Sequence, residues 1–211
     1  AAHNLGILHG DIKPANIIFD ENDLPILADF GMVSLLRAQV SPEAHVIIGP
    51  PAYISPEQVL AGANALRTNV TGGLVGGQSD IYMLGALLFE MLTGSPPYQA
   101  ETPLGYAMHH LSSPIPSVRW ARPELAAAWD DIIQKAMAKE PEERFASVGE
   151  LADAVQQAAL LPNSPPAPET VAAEKPTAPI IPSAAVGQAK TLPATWEKEK
   201  NALASAPTVL E

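Results

Sequence analysis

His9-Gly10-Asp11-Ile12-Lys13-Pro14-Ala15-Asn16 sets a carboxylate, an ammonium and a carboxamide within six residues; Asp29-Phe30-Gly31 begins thirteen residues after Asn16, and Ser55-Pro56-Glu57 lies further on. Taken singly, each polar residue has an ordinary explanation, since a lone Asp in a loop is most often a solvated turn residue. Asp11, Lys13, Asn16, Asp29 and the glycine after Phe30 need one explanation for all of them, and solvated turns do not supply it. Around them, Asn16 to Phe19 and Leu24 to Ala28 are short apolar runs separated by Asp20-Glu21-Asn22-Asp23, which predicts two short strands joined by a polar turn.

Downstream the pattern turns helical. Ile81 to Leu92 is apolar on nearly every side, is preceded by Ser79-Asp80 and is closed by Thr93-Gly94 and Pro96-Pro97, which predicts a fully buried helix with an acidic N-cap and a glycine stop. Further helices are expected over Pro103 to Leu111, Glu124 to Ala138 and Ser147 to Ala158, the last from the helical spacing of Val148, Leu151, Ala152 and Val155. Gly72 to Ser79 matches a phosphate-binding P-loop except that Gln78 replaces its lysine; without that charge it reads as a flexible insertion. His109-His110, adjacent on a helix, face different directions and make a poor metal pair.

The chain of 211 residues holds one domain plus additional sequence. Nine of the 22 prolines fall in residues 159–211, among Ala, Thr, Ser and Glu, so this stretch is expected to be a disordered linker, with a hint of local helix only near Trp196 to Lys200. Residues 1–158 carry 18 acidic against 8 basic side chains, so most of the net charge of −11 belongs to the folded part. That charge, with no Lys/Arg cluster, speaks against nucleic acid as a partner. Cysteine is absent, which removes disulfides and thiolate chemistry and fits a reducing compartment. No apolar run reaches the roughly 18 residues a membrane span needs. The chain opens at Ala1 with neither Met nor a signal pattern, so its natural start is expected upstream.

The three quoted motifs, in that order, resemble the signature set of the protein kinases: a catalytic loop of the H-x-D-x-K-x-x-N type, the D-F-G triplet and a variant of A-P-E. The loop and the S-P-E form resemble bacterial relatives of the eukaryotic Ser/Thr kinases. Ser79 to Gly85 and Pro141 to Phe145 extend the likeness, so it covers about Ala1 to Ala158. The fold it implies is the α+β protein-kinase fold, of which residues 1–158 hold the mainly α-helical C-lobe with short hairpins; the N-lobe, with its Gly-rich loop, is missing, and 159–211 form the tail.

The resemblance implies ATP and Mg2+ as cofactors and protein Ser/Thr hydroxyls as acceptors. Asp11 would be the catalytic base, and Lys13 would meet the transferring phosphate. Asn16 and Asp29 would hold magnesium, oxygen ligands suiting a hard cation, and Ile18 would line the nucleotide site. His9 and Phe30 would stack, Asp80 would anchor the catalytic loop by bonding its backbone, and Glu57 and Arg144 would form a buried ion pair. Lys13, two residues after Asp11, marks Ser/Thr rather than Tyr specificity.

Two departures bear on activity. Gly10 replaces the usual Arg that pairs with an activation-segment phosphate, so control through Ser34 or Ser41 is expected to be weak, with Val46, Ile47 and Ile48 packing the segment instead and Arg37 the first alternative partner. Pro50 replaces a Thr that commonly bonds the catalytic Asp and Lys. A lone C-lobe is expected to bind ATP poorly and to transfer little phosphate. A pseudokinase scaffold is the rival function. The expected location is cytoplasmic, with the tail a juxtamembrane linker to a span further downstream.

Overall fold

Ile17, Ile18 and Phe19 are β-favouring residues flanked by turn formers, and they form strand β1 (Ile17–Phe19), paired antiparallel with β2 (Pro25–Leu27) in the register Ile17 to Leu27, Ile18 to Ile26 and Phe19 to Pro25. Asp20 closes the hairpin by accepting the N–H groups of Asn22 and Leu24, each at 2.8 Å. Those two bonds hold its carboxyl below the usual range. The computed structural model describes residues 2–30, 51–61 and 75–163. The expectations placed on Ser34, Arg37, Ser41, Val46 to Ile48, Pro50, Gly72 to Leu74 and the tail from Ser164 lie outside the described residues.

The core is organised by α1 (Gly77–Thr93), α2 (Pro103–Ser112), α3 (Ala128–Ala136) and α4 (Val148–Ala159). Ile81, Tyr82, Met83, Ala86 and Phe89 of α1 are buried against Trp129, Ile132, Ile133 and Ala136 of α3. Gly85 permits this approach, since a Cβ there would lie 2.8 Å from that of Ala136, closer than real carbons come. Ser147 caps α4 by accepting the Glu150 N–H at 3.1 Å, while the Glu150 carboxylate reaches back to the N–H of Ala146 at 2.9 Å. This is close to a capping box and explains why the Ser-Val-Gly-Glu run starts a helix.

Three expectations about helices need correction. The central helix begins at Gly77, with Gly76 as N-cap, so Gly77, Gln78 and Ser79 belong to a helix rather than to an insertion. Asp80 does not cap it because its carboxylate is turned to the backbone N–H groups of His9 and Gly10, and Ser79 Oγ donates to Glu57 at 2.6 Å. Nor is α1 buried all round: Met91 is exposed and Leu84, Leu88 and Leu92 are half-buried. Gly94 stops it as expected, donating its N–H to Glu90 O. The helix predicted over Glu124 to Ala138 is only α3. Pro123 and Glu124 lie before it in a turn, where Glu124 is held by Arg122 and Leu125 N–H bonds Arg122 O.

Candidate active site

Pro14 confines the residue before it to extended backbone, and Lys13 has φ −162° and ψ 162°. Pro14 then opens a short 3-10 turn, Pro14–Asn16, which carries Asn16 back under Asp11. The Asn16 amide Nδ2 donates to Asp11 O at 2.7 Å and to Asp11 Oδ2 at 3.1 Å. Lys13 Nζ meets the same Oδ2 at 2.5 Å. Two residues within five positions of Asp11 thus converge on its carboxylate. Asp11 Oδ1 and Asn16 Oδ1 receive no donor among the described residues.

The loop is anchored from the core. Buried Asp80, on the first turn of α1, accepts the N–H of His9 at 2.9 Å through Oδ2 and that of Gly10 at 2.8 Å through Oδ1. His3 Nε2 approaches the same Oδ2 at 2.7 Å. Gly10 sits at φ 76°, a region L side chains enter only at a cost. The anchoring expected of Asp80 is therefore seen, and His3 is an additional partner that the sequence did not suggest.

The Asp29 segment is held to this loop by three contacts. Ala28 N–H donates to Asn16 O at 2.8 Å. His9 Nε2 lies 2.7 Å from Ala28 O, and Asp11 N–H donates to His9 Nδ1 at 3.2 Å, so the carbonyl requires a proton on Nε2 and the neutral tautomer satisfies both bonds. Phe30 packs on the His9 ring with centroids 4.6 Å apart; the expected contact is made, with the rings tilted by 57° rather than stacked face to face. Asp29 itself is exposed and adopts φ 63°, a conformation Asp tolerates better than most side chains. Ile18, opposite Ile26 in the hairpin, is 52% exposed.

Behind the loop lies the expected ion pair. Arg144 donates to Glu57 through Nη1 at 2.7 Å and Nη2 at 2.8 Å, and its remaining N–H groups go to Ala138 O, Gln78 O and Lys139 O. The Arg144 side chain is 0% exposed. Burial alone would push the Glu57 carboxyl up, but the bonds and charge of Arg144, with Ser79, hold it below the usual range. Gln58 beside it donates Nε2 to Gly10 O at 2.8 Å, a contact no sequence motif announced. His109 and His110 go elsewhere: His109 stacks on Tyr98 with its Nδ1 2.8 Å from Ser113 Oγ, and His110 Nδ1 lies 2.8 Å from Tyr82 OH.

Comparison with known proteins agrees with this geometry. The protein kinase domain family matches residues 1–158. The chain belongs to that family and has the protein-kinase fold, mostly helical with one small hairpin among the described residues. It is homologous to bacterial Ser/Thr protein kinases, a transferase class that binds ATP. Serine/threonine-protein kinase PknH of Mycobacterium bovis is 31% identical over 99% of this chain and 36% of that protein. Serine/threonine-protein kinase PrkC of Bacillus subtilis is 36% identical over 68% of this chain and 20% of that protein. A crystal structure of the Mycobacterium tuberculosis PknI kinase domain aligns with a TM-score of 0.50 and 27% identity, covering 74% of this chain and 48% of that one. The chain thus spans about a third or less of the length of these two curated relatives.

Proposed function

We propose that this chain is the C-lobe of a Ser/Thr protein kinase, in which Asp11 takes the proton of a Ser or Thr hydroxyl as the γ-phosphate of ATP passes to it. The observation that carries this reading is the arrangement around Asp11. Lys13 and Asn16 hold Oδ2, and Oδ1, which receives no donor among the described residues, is the oxygen that would accept the substrate proton. A carboxylate fixed in this way orients the acceptor oxygen in line, a contribution of about 10²- to 10⁴-fold in rate. Lys13 carries positive charge to where negative charge develops on the phosphoryl oxygens.

The donor set fits magnesium. Asn16 spends its N–H2 inward, which leaves the amide oxygen for a cation, and Asp29 offers an exposed carboxylate. Two protein oxygens suit an ion that keeps several waters and otherwise binds phosphates. Bound there, the ion would neutralise phosphate charge.

Exposed apolar residues support both the lobe assignment and Ile18 as a nucleotide contact. Ile18, Phe19, Leu24, Ile26 and Phe30 are all exposed, Phe19 by 66%, all within thirteen residues beside Asn16 and Asp29. Such a concentration marks a surface that something covers. A purine ring over Ile18 and a second lobe over the hairpin are the covers that the kinase reading supplies.

Residues 159–211 we take as a linker outside the catalytic domain, and a cytoplasmic site of action follows from ATP as donor. No helix among the described residues is long and apolar enough to cross a membrane.

Pro50 keeps a scaffold function as the rival, because it brings no hydroxyl to the catalytic pair. Joining the chain to a nucleotide-binding lobe and measuring transfer from labelled ATP to a generic protein substrate separates the two. Transfer supports the kinase; tight ATP·Mg2+ binding without transfer supports the scaffold.

A further inference from the structure

Gln58 is 4% exposed, and both ends of its amide are committed. Oε1 accepts the backbone N–H of Ser55 at 3.0 Å and the Ser55 hydroxyl at 3.2 Å. Nε2 donates to Gly10 O at 2.8 Å. Because Ser55 N–H can only donate and Gly10 C=O can only accept, the orientation of the amide is fixed by its partners. The Gly10 carbonyl belongs to the peptide unit that leads into Asp11, and on the other side of Gly10 its own N–H and that of His9 are held by Asp80. The loop is thus gripped at its donors from α1 and at its acceptor from Gln58, in the first turn of the helix that follows Ser55 over residues 56–61. That helix start is pinned at its back by Glu57 and Arg144.

We infer that Gln58 is a positioning residue: its carboxamide, a neutral tie to a backbone carbonyl, sets the Gly10–Asp11 peptide and hence the direction of the Asp11 carboxylate. Glycine at position 10 leaves no guanidinium to link this loop to a phosphorylated segment, and the Gln58 bond supplies a link that needs neither side chain nor charge at that position. The helical turn carrying Gln58 follows residues 51–54, so a shift there reaches Gly10 through one hydrogen bond. The catalytic consequence rests on the kinase reading; the mechanical one does not.

The two are tested separately. In the chain as it stands, protection factors for the Gly10, Asp11 and Ile12 amides are measured by hydrogen exchange in wild type, Gln58→Met, Gln58→Glu and Ser147→Ala, the last being a destabilised control on α4. Methionine keeps the shape and removes the donor and the acceptor, so protection at these amides should fall about tenfold, the loss expected for one buried hydrogen bond. Ser147→Ala should leave their protection relative to the rest of the core unchanged. The carboxyl introduced by Gln58→Glu donates to Gly10 O only when protonated, and burial raises its pKa. Protection in that variant should therefore recover as pH falls from about 8 to about 5.5, while Gln58→Met stays low. Equal protection in all four proteins, or no recovery in Gln58→Glu, overturns the inference. With a nucleotide-binding lobe attached, Gln58→Met should lower kcat about tenfold with the KM for ATP unchanged. A proportionate rise in KM with kcat intact contradicts positioning. Absence of transfer in wild type contradicts the kinase reading instead, and exchange then decides the inference alone.

Discussion

Replacing Arg144 by Met should cost this domain about 3 to 5 kcal/mol, because the substitution leaves the Glu57 carboxylate buried without its counter-charge. The structure sets the upper part of that range. All five guanidinium N–H groups are used, two on Glu57 and three on the carbonyls of Gln78, Ala138 and Lys139. The group also lies over the Tyr82 ring, 5.0 Å from its centroid. For a domain of this size a loss of 1 kcal/mol lowers Tm by about 2 to 4 °C, so the midpoint should fall by roughly 6 to 20 °C. Thermal and urea unfolding followed by circular dichroism measure it. The Glu57→Met, Arg144→Met double variant should be no less stable than Arg144→Met, since the orphaned charge is gone. Acid gives a second signature. The Glu57 carboxyl is depressed in the folded wild type, so its contribution is present above the unfolded carboxylate pKa and is lost as pH falls through the folded one. In Arg144→Met the unpaired, buried carboxyl titrates upward, so the gap between variant and wild type should close toward pH 4. A loss below about 1 kcal/mol, or single-variant losses that simply add, would refute the buried-pair account.

Asp80→Asn keeps the shape but turns an NH2 toward backbone donors, so it should cost about 1.5 to 3 kcal/mol and deprotect His9 and Gly10 amides; unchanged exchange there would remove Asp80 as the anchor. Gly10→Ala should destabilise by about 1 to 2 kcal/mol because φ is 76°, and equal or greater stability in urea would show that the loop does not need that conformation. Lys139 donates to His110 O, Tyr98 OH and His109 O, and burial followed by the charge of Arg144 lowers its pKa to about 7. The folded state then binds fewer protons than the unfolded one between about pH 7 and the ordinary Lys value. Stability should rise with pH across that window, by up to about 1.4 kcal/mol per unit. Lys139→Met should flatten the rise measured by urea unfolding between pH 7 and 9, and an identical slope would discard Lys139 as its source. His110, held neutral by burial with its pKa lowered to about 3, adds to the loss of stability below the ordinary His range.

What could be read from the sequence was what short spacing dictates. Pro14 after Lys13 and Asn16 two residues further on fix a loop whose geometry follows from few torsions, and the hairpin next to it came within a residue at each end. The Glu57–Arg144 pair, 87 residues apart, was reached only through motifs that resemble a known family. Where local pattern misled, long-range bonds had claimed the side chain. Ser79 and Asp80 look like a helix cap, yet both serve partners outside the helix, so α1 starts at Gly77. Gln58 and His3 escaped notice for a related reason: a glutamine or a histidine makes no periodic pattern, and its partner is a backbone atom or a distant carboxylate.

The central claim is that Asp11 is the base of a phosphotransfer site, and the most direct test is Asp11→Asn in the chain joined to a nucleotide-binding lobe. Transfer of labelled γ-phosphate to a protein serine is measured alongside ATP·Mg2+ affinity and Tm. The expected result is a loss of about 10²-fold or more in kcat, with ATP affinity and fold retained, since Asn keeps the shape and removes the proton acceptor. Wild-type turnover in Asp11→Asn would contradict it.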